Sequence, residues 1–443
     1  MPLSGTTAPH RFMPAGPLTG RISVPGDKSI SHRALILGGL AVGETRITGL
    51  LEAEDVLATA AAMRAFGASV EKRGEDWLVH GTGTGSLLQP ESALEMGNSG
   101  TAARLLMGVA ASHGFTTCFT GDASLSRRPM KRVIEPLSLM GASFAAAPGD
   151  TLPLILTGIS PAVPIEYRLP VPSAQVKSAI LLAALNTPGI TTVIEQQASR
   201  DHTERMLRAF GADLTEEEKE GERIVRLRGE AELTPLALEV PGDPSSAAFL
   251  IVAALLVEGS DLIIENVGIN PTRAGLIGVL REMGGRISII KKRKVGGEPV
   301  ADLHVQHSSL TGVAVDPALV PTMIDEFPAL FVAAALAEGR TVTTGLDELR
   351  VKESDRLSAM AAALTLAGAR VHETADGLVI DGTGGEPLQG TASRAAVATL
   401  LDHRIAMSMA VAGLASRDGV LVDDMRPVAT SFPDFVTTLG SLT

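Results

Sequence analysis

The chain has 443 residues, of which 45% are hydrophobic and 20% are charged, and its formal net charge at pH 7 is −12. This length allows two or three domains with a sizeable core, and the composition is that of an ordinary globular enzyme. The acidic balance argues against general binding to nucleic acid or to an anionic membrane, although a local basic cleft could still take a small anionic substrate.

The single cysteine, Cys118, excludes an intramolecular disulfide and a cysteine-rich metal site. Apolar runs such as AAFLIVAALLV are about eleven residues long and too short to span a bilayer. The N-terminal stretch MPLSGTTAPHRFMPAGPLTG lacks the apolar core of a secretory signal and is too rich in Pro and Gly for a transit peptide. We therefore expect a cytoplasmic protein, with neither nucleic acid nor a membrane as a partner.

Six segments in chain order share one pattern: a polar tip, an apolar helical run rich in Ala and Leu, a Gly turn and a strand. The tips begin near residues 28, 98, 173, 243, 325 and 402. After most tips comes a second, amphipathic helix ending in a Gly turn, as in MRAFGASV and LRAFGADL, and a strand or hairpin follows. The pattern predicts an α/β protein of six βαβαββ repeats. Because the first helix of each repeat is apolar on nearly all sides, we expect it to be buried, with only its tip open to solvent or ligand.

A repeat of this length is too long for a solenoid unit and favours two compact domains of three repeats each. Two PGD turns, at Pro25 and Pro241, are the predicted crossings between them. They divide the chain into an inserted domain, 25–240, and a discontinuous domain made of 1–24 and 241–443.

The tips differ in charge, and the fourth, PGDPSSAAF, lacks the cations of the others. The charged and polar residues at or soon after the other tips are Lys28, Ser29, His32 and Arg33; Asn98, Gly100, Arg104 and Arg128; Ser173, Gln175, Lys177 and Arg200; Asp325, Lys352, Glu353 and Arg356; and Asp402, His403 and Arg404. One cation near a helix start is usually a solvated surface charge, but cations there oppose the helix dipole. Because this unfavourable placement recurs in several copies, it indicates a bound polyanion. The anion would be held by the cations, by helix N–H groups and by neutral hydroxyl and amide donors.

Eight motifs occur in order over essentially the whole chain: PGDKSISHRAL, GNSGTAAR, SLSRRPM, PSAQVKSA, MIDEFP, LRVKESDRL, LDHRIAM and TSFPDF. Together they resemble the 5-enolpyruvylshikimate-3-phosphate (EPSP) synthase family, and SAQVKSA with SRDHTE resembles its class II. The resemblance implies a two-domain inside-out α/β barrel that closes over shikimate 3-phosphate and phosphoenolpyruvate in the cleft between the domains. It also implies a monomer that needs no cofactor, and no His, Asp or Glu spacing in the sequence suggests a metal site.

The resemblance also implies roles for the tip residues, with Lys28 contacting both substrates and taking part in catalysis. The residues implied to hold shikimate 3-phosphate are Ser29, Arg33, Ser173, Arg200 and Lys352. Those implied to line the phosphoenolpyruvate side are Gly100, Arg128, Arg356 and Arg404, with Gln175 between the two substrates and Asn98 as a further binding residue. Forked Arg donors suit carboxylate and phosphate oxygens.

The implied chemistry is attack of the 5-hydroxyl of shikimate 3-phosphate on C2 of the enolpyruvyl group while C3 is protonated, followed by loss of phosphate. Asp325 resembles the family's base, and Glu353 is the candidate proton donor. To act as an acid, Glu353 must hold a proton and needs a raised pKa, whereas the neighbouring cations Lys352 and Arg356 favour the ionised carboxylate. The sequence does not decide which of the two effects is larger. N-capping is the alternative role for Asp325 and, above all, for Asp402.

The sequence departs from the family pattern in two places, and Gly100 is a further informative position. VATSFPDF has Thr430 and Ser431 where many members have a Lys before FPD. Ala174 replaces a second Ser, and Arg200 is expected to supply the lost phosphate contact. Gly100 is expected to leave space beside phosphoenolpyruvate, so that glyphosate fits as an inhibitor.

Two other functions remain open from the sequence. UDP-N-acetylglucosamine enolpyruvyl transferase shares the fold but uses a cysteine on a mobile loop, whereas Cys118 lies in a predicted strand, TTCFTG, and is expected to be buried and inert. A non-catalytic anion-binding protein would keep the basic tips but would not need Asp325 and Glu353. His32 and His403, next to arginines on helices, are expected to pack or hydrogen-bond.

Overall fold

The computed structural model describes residues 9–442, which form two compact units. The middle unit comprises Gly26–Val240 and the segment Lys294–Glu298. The terminal unit contains the described residues up to Pro25, then Pro241–Arg293 and the chain from Pro299 onward. The first eight residues of the segment 1–24 lie outside the described residues. Nothing in the sequence pattern indicated that 294–298 would associate with the middle unit.

The middle unit has three four-stranded sheets, each with one parallel pair and two antiparallel pairs. In spatial order the strands are Ala237–Glu239 (β14), Val42–Thr48 (β3), Asp76–Thr82 (β5) and Ser69–Arg73 (β4); Leu94–Glu95 (β6), Thr116–Thr120 (β7), Thr151–Thr157 (β9) and Ser143–Ala147 (β8); and Glu166–Arg168 (β10), Ile190–Glu195 (β11), Glu222–Arg228 (β13) and Leu214–Lys219 (β12). The second and third sheets each contain the strands of one predicted repeat, whereas the first combines β3, β4 and β5 of the first repeat with β14, the strand before the fourth tip.

The terminal unit also has three sheets, of four, three and two strands. In spatial order its strands are Arg286–Val295 (β16), Glu298–Gln306 (β17), Asp261–Gly268 (β15) and Thr19–Ser23 (β2); Arg340–Val342 (β18), Leu378–Asp381 (β20) and Arg370–Glu373 (β19); and His10–Phe12 (β1) with Val420–Val422 (β21). In the last sheet the antiparallel partner of β21 is β1, from the other end of the chain. The sixth repeat therefore departs from the predicted βαβαββ pattern. In the other repeats the antiparallel partner is a hairpin strand of the same repeat, and here β1 takes that position.

Thirteen helices accompany the strands in the described residues. They are Lys28–Leu40 (α1), Glu54–Ala65 (α2), Gly100–Ala111 (α3), Lys131–Leu139 (α4), Ala174–Ala184 (α5), His202–Ala209 (α6), Pro244–Leu256 (α7), Gly275–Glu282 (α8), Val320–Met323 (α9), Phe327–Leu336 (α10), Arg356–Leu366 (α11), His403–Leu414 (α12) and Phe435–Gly440 (α13).

The first helix of each repeat forms the core of its unit, as predicted. Every residue of α10 is buried, and in α7 every residue from Pro244 to Leu255 is buried. These helices are apolar on all sides because they pack among the other core helices and against the sheets of the same unit. The mixed α/β fold built from repeats is confirmed.

The two PGD turns begin helices in the same way. Asp27 accepts a hydrogen bond from the Ile30 N–H at 2.9 Å, and Asp243 accepts one from the Ser245 N–H at 2.7 Å. At Gly26 an added Cβ would lie 2.0 Å from the Gly49 carbonyl oxygen, so only glycine fits.

Among residues 9–442 no single helix is long and apolar enough to cross a membrane. One pair, Pro317–Met323 and Phe327–Leu336, meets the criterion by length and composition but is bent by 120°. Its second member is the buried core helix α10.

Candidate active site

The first tip presents Lys28 and Ser29 at the start of α1. The ammonium of Lys28 lies 2.5 Å from a carboxylate oxygen of Asp55, in the first turn of α2, and the Lys28 side chain is 20% exposed. The predicted catalytic lysine is thus held by a buried carboxylate. Asp55 was not among the predicted site residues, although EAEDVL does mark it as an acidic residue at a helix start.

Arg33, on the same helix, is buried and uses its guanidinium inside the unit. Nε donates to the Thr203 hydroxyl at 2.7 Å, one Nη donates to the Ser178 hydroxyl at 2.7 Å, and the other donates to the Ser29 carbonyl at 2.8 Å. Burial lowers the pKa of Arg33 to about 10, although the charges of Glu204 and Asp27 oppose this shift. Arg33 therefore links the first tip to the third repeat of the same unit.

The second tip forms a connected polar group. Arg128 donates to the side-chain oxygen of Asn98 at 2.7 Å, while the Asn98 amide donates to Asp122 at 2.7 Å. Arg104 donates to the Gly100 carbonyl at 3.2 Å and to the Gln175 side chain at 3.0 Å. These contacts bring Asn98, Gly100, Arg128 and Gln175 together, as the motifs suggested, and they add Arg104 to the group.

Gly100 differs from its sequence-based expectation. An added Cβ would lie 2.7 Å from a guanidinium nitrogen of Arg104 and 3.5 Å from one of Arg128. The position beside Gly100 is therefore occupied by Arg104 and is not open space, and a methyl group there must displace that side chain.

At the third tip Ser173 and Lys177, which the sequence grouped together, lie in different surroundings. Ser173 caps α5 by accepting from the Val176 N–H at 3.4 Å and remains half-buried, as does Arg200 in the loop before α6. Lys177, by contrast, has no exposed side-chain area, and its ammonium lies 2.8 Å from Glu195 and 2.7 Å from Glu204. Lys177, predicted as a charged residue of the tip, is thus a buried cation.

In the terminal unit the predicted residues meet around Arg356, whose side chain is 1% exposed. Its guanidinium donates to Glu353 at 2.5 Å, to Asp402 at 2.8 Å and to Asp325 at 3.3 Å. Burial alone lowers the pKa of Arg356, but the charges of Asp402, Glu353 and Asp325 reverse this and raise it above the ordinary value for arginine. The guanidinium is therefore permanently charged.

Asp325 lies at the centre of this group. Its carboxylate lies 3.8 Å from the Lys352 ammonium and 3.3 Å from Arg356, and its carbonyl accepts a hydrogen bond from Arg404 at 2.8 Å. Its side chain is 16% exposed and does not cap α10, whereas Asp402 does cap α12 by accepting from the Arg404 N–H at 2.9 Å. The capping alternative thus holds for Asp402 and not for Asp325.

The fourth tip acquires a cation that its own sequence lacks. Arg273, from the loop before α8, is buried and donates to the Ser245 hydroxyl at 2.7 Å and to Glu326 at 3.2 Å. Because Arg273 follows the tip by many residues, the pattern of the tip could not reveal it.

The remaining predicted residues agree only in part with expectation. His32 and His403 are buried, and His32 pairs with the Thr59 hydroxyl at 2.7 Å, as expected of a hydrogen-bonding role. Cys118 in β7 is half-buried and not fully buried as predicted. Thr430 donates to the Pro427 carbonyl at 2.7 Å. Among residues 9–442 no group of three or more His, Cys, Asp or Glu side chains could hold a metal ion.

Each unit therefore holds a set of cations fixed by its own carboxylates, hydroxyls and carbonyls. Such charges are pre-organised for anionic ligands because little reorientation is needed on binding. Carboxylates beside them provide groups for proton transfer.

Comparison with known structures first defines the class of protein. The fold is similar to that of the enolpyruvyl transferase NikO from Streptomyces tendae, with a TM-score of 0.75 at 18% identity over 98% of this chain and 96% of that one. At this identity the likeness shows the fold alone. EPSP synthase from Acinetobacter baumannii is more similar, with a TM-score of 0.86 and 45% identity over 98% of this chain and 97% of that chain.

The family follows from sequence. Residues 13–439 match the family model of EPSP synthase (3-phosphoshikimate 1-carboxyvinyltransferase). The chain is 70% identical over 98% of its length to 3-phosphoshikimate 1-carboxyvinyltransferase of Novosphingobium aromaticivorans, of which it covers 99%. It is 64% identical to the enzyme of that name from Sphingopyxis alaskensis, and each chain is covered to 99%. The chain belongs to the EPSP synthase family.

The reaction is accordingly transfer of the enolpyruvyl group of phosphoenolpyruvate to the 5-hydroxyl of shikimate 3-phosphate, with release of phosphate, in the shikimate pathway to aromatic amino acids. This result decides against the nucleotide-sugar transferase and the non-catalytic anion-binding protein as alternatives. The two substrates carry the phosphate and carboxylate groups that the basic tips suggested.

Proposed function

We propose that the two units divide the work of this reaction between them. In the middle unit, Lys28 binds both substrates. Shikimate 3-phosphate is bound by Ser29, Arg33, Ser173 and Arg200. The phosphoenolpyruvate site is lined by Asn98, Gly100, Arg128 and Gln175. In the terminal unit, Lys352 binds shikimate 3-phosphate, while Arg356 and Arg404 bind phosphoenolpyruvate. The contacts that support this assignment lie within each unit: Asp325 joins Lys352, Arg356 and Arg404 in the terminal unit, and in the middle unit Arg33 contacts the third repeat while Arg128 contacts Asn98.

The observation that carries the proposal is the contact set of Asp325. A carboxylate 3.8 Å from an ammonium and 3.3 Å from a guanidinium is held in a fixed position from which it can accept the proton of the 5-hydroxyl. As that proton leaves, the hydroxyl oxygen attacks C2 and Glu353 delivers a proton to C3. In the second step the Glu353 carboxylate takes a proton back from C3, the C2–O bond to the phosphate breaks, phosphate leaves and the enol ether forms.

Glu353 must change partners to act as the acid. Its carboxylate now accepts a hydrogen bond from Arg356 at 2.5 Å, and such a bond stabilises the ionised form. Phosphoenolpyruvate bound to Arg356 would compete for that guanidinium, so substrate binding itself would release Glu353 to take up a proton.

Asp325→Asn tests the assignment of the base. We expect kcat to fall by a factor of about 100 to 10,000, because positioned general bases contribute this much, while KM for shikimate 3-phosphate changes little. Phosphate release with both substrates present, and its absence with either alone, measures the reaction. Glu348→Gln, which also removes a carboxylate beside Lys352, is the matched control and should keep kcat near wild type. An Asp325→Asn enzyme with kcat within threefold of wild type would rule out the base.

Glyphosate is proposed as an inhibitor that competes with phosphoenolpyruvate. In Gly100→Ala the new methyl group would push Arg104 away from Gln175, since it would lie 2.7 Å from the Arg104 guanidinium. We expect the inhibition constant to be at least about tenfold higher in the variant, as for loss of one charge-assisted hydrogen bond. Equal and weak inhibition of both enzymes would contradict the proposal.

The protein is further proposed to act as a cytoplasmic monomer without a membrane partner. Support comes from its acidic net charge and from small soluble metabolites as substrates. Light scattering after size-exclusion chromatography should give the mass of one chain, and cell fractionation should place the activity in the cytosol.

A further inference from the structure

Lys177 is a buried cation that the proposed reaction does not use. It lies on α5, one turn after Ser173, and its side chain has no exposed area. A buried ammonium is costly unless it is paired, and here two carboxylates surround it, Glu195 at 2.8 Å and Glu204 at 2.7 Å. Both carboxylate side chains are also completely buried.

Glu195 connects Lys177 to the loop that carries Arg200. Glu195 ends β11, and its other carboxylate oxygen accepts hydrogen bonds from the hydroxyl and the backbone N–H of Ser199. Within the loop, residues 196–198 are exposed and Ser199 is buried, so Ser199 is its anchor. A cavity lined by residues 169–172 and 195–197 adjoins Glu195, which gives the loop room to move if the anchor is lost.

Glu204 connects Lys177 to Arg33. Glu204 lies in the first turn of α6, next to Thr203, whose hydroxyl accepts from Arg33 at 2.7 Å. Ser178, next to Lys177 on α5, accepts a second Arg33 hydrogen bond and lies 2.6 Å from the Thr203 hydroxyl. The Lys177–Glu204 pair thus joins the two helices that together hold the Arg33 guanidinium.

We propose that Lys177 is a positioning residue for shikimate 3-phosphate binding, holding the Arg200 loop through Glu195 and Ser199 and the Arg33 guanidinium through Glu204. The inference rests on the proposed function, because it takes Arg33 and Arg200 as ligands of that substrate. Lys177 itself touches no substrate, since its ammonium is enclosed. Its effect is to fix two separate parts of the binding group with one buried charge.

The test compares Lys177→Met and Ser199→Ala with wild type in steady-state kinetics, varying each substrate at saturation of the other. We expect Lys177→Met to raise KM for shikimate 3-phosphate by about tenfold or more, the usual effect of losing a hydrogen bond to a charged group. Ser199→Ala, which frees only the loop, should raise it by a smaller factor of about three to ten. In both variants kcat and KM for phosphoenolpyruvate should stay within about threefold.

Leu181→Ala is the matched control for a purely structural effect. Leu181 is a buried core residue one turn further along α5 and takes no part in the ion pairs of Lys177. We expect its truncation to lower the melting temperature. We expect KM for shikimate 3-phosphate to remain at the wild-type value in this variant. If Lys177→Met does not fold, the inference is tested by comparing KM for shikimate 3-phosphate in Ser199→Ala with that in Leu181→Ala.

Arg200→Ala separates the two possible failures. If it raises KM for shikimate 3-phosphate while Lys177→Met and Ser199→Ala leave it within twofold of wild type, Lys177 serves only the fold and the inference is wrong. If Arg200→Ala also leaves KM unchanged, the proposed assignment of Arg200 is wrong and the inference falls with it.

Discussion

His32 is a neutral imidazole placed among charged neighbours. It has no exposed area, and its Nδ1 pairs with the Thr59 hydroxyl at 2.7 Å. Burial, together with the positive charges of Lys28 and Arg33, holds the pKa of His32 well below its usual value. The helix that carries Lys28 and Arg33, the proposed substrate-binding cations, therefore also contains a buried histidine that stays uncharged.

This arrangement predicts a pH dependence of stability. In the unfolded chain His32 takes up a proton below about pH 6.5, and in the folded protein it does so only at lower pH. Since the unfolded state then binds more protons, stability falls as pH decreases below about 6.5, by up to about 1.4 kcal/mol per pH unit. Between pH 7 and 5.5, we expect the free energy of unfolding of wild type to fall by about 1 kcal/mol more than that of His32→Gln.

Urea unfolding at the two pH values measures this difference. His372→Gln, which changes an exposed histidine, is the control and should keep the wild-type pH dependence. Identical pH dependence in wild type and His32→Gln would show that His32 is not the group responsible.

Single residues also show where sequence reasoning stops. The motif around Lys177 suggests a surface cation, because charge at a helix start is normally solvated. Its burial depends on Glu195 and Glu204, which reach it only after β11 and α6 have packed against α5. At Gly100 the sequence likewise did not show the neighbouring side chain, since Arg104 lies on the same helix and folds back over the position.

At the scale of elements, the contact between α3 and α5 depends on one glycine. An added Cβ at Gly108 would lie 2.3 Å from the Ala179 carbonyl oxygen and 2.6 Å from the Ala179 Cα. Both are backbone atoms of a central helix, so the helices themselves would have to separate. Gly108→Ala should therefore lower the free energy of unfolding by about 1–3 kcal/mol, the usual cost of overpacking.

Gly278→Ala is the matched control within a helix. Gly278 is an exposed position of α8 where an added Cβ meets nothing within 4 Å. Because alanine has the better helix propensity, this change should raise the free energy of unfolding by about 0.5–1 kcal/mol. Urea denaturation of both variants gives the comparison, and a Gly108→Ala protein as stable as wild type would refute the close approach of the two helices.

Helices were the elements best predicted from sequence, because their signals are local. Apolar runs with a polar cap identified all six core helices, and Asp27, Asp243 and Asp402 are caps in the structure. Arg273 was not predicted because its partners are remote in sequence: Ser245 lies 28 residues before it and Glu326 belongs to the next repeat. Contacts between repeats have no signature within a single repeat.

At the scale of the molecule, the N-terminal arm completes two sheets of the terminal unit. β2 pairs with β15 in parallel, β1 pairs with β21 in antiparallel, and Phe12 and Leu18 belong to the core of this unit. The sequence predicted that 1–24 belongs with 241–443, but it could not show that β1 takes the place of a hairpin strand in the sixth repeat. That pairing joins residues from opposite ends of the chain, beyond the reach of any local pattern.

A chain that begins at Pro25 tests the importance of this arm. It would lack both strands and two core side chains, so we expect the terminal unit to lose its fold while the middle unit keeps its own. Limited proteolysis should then cleave within 241–443 and leave 26–240 largely intact. Phe12→Ala, which keeps both strands, should produce only a partial loss of stability. A truncated chain that melts at the wild-type temperature would contradict the expectation.

The pairing of His10 with Val422 has a consequence for the order of events during synthesis. The ribosome releases β1 and β2 first, whereas β15 and β21 emerge only in the second half of translation. The middle unit, almost all of which is contiguous in the chain, can fold in between, as domains generally do during synthesis. Until β21 emerges near the end of translation, the nascent protein therefore carries a folded middle unit behind β1 with its edge unpaired, and such edges are the usual starting points of aggregation.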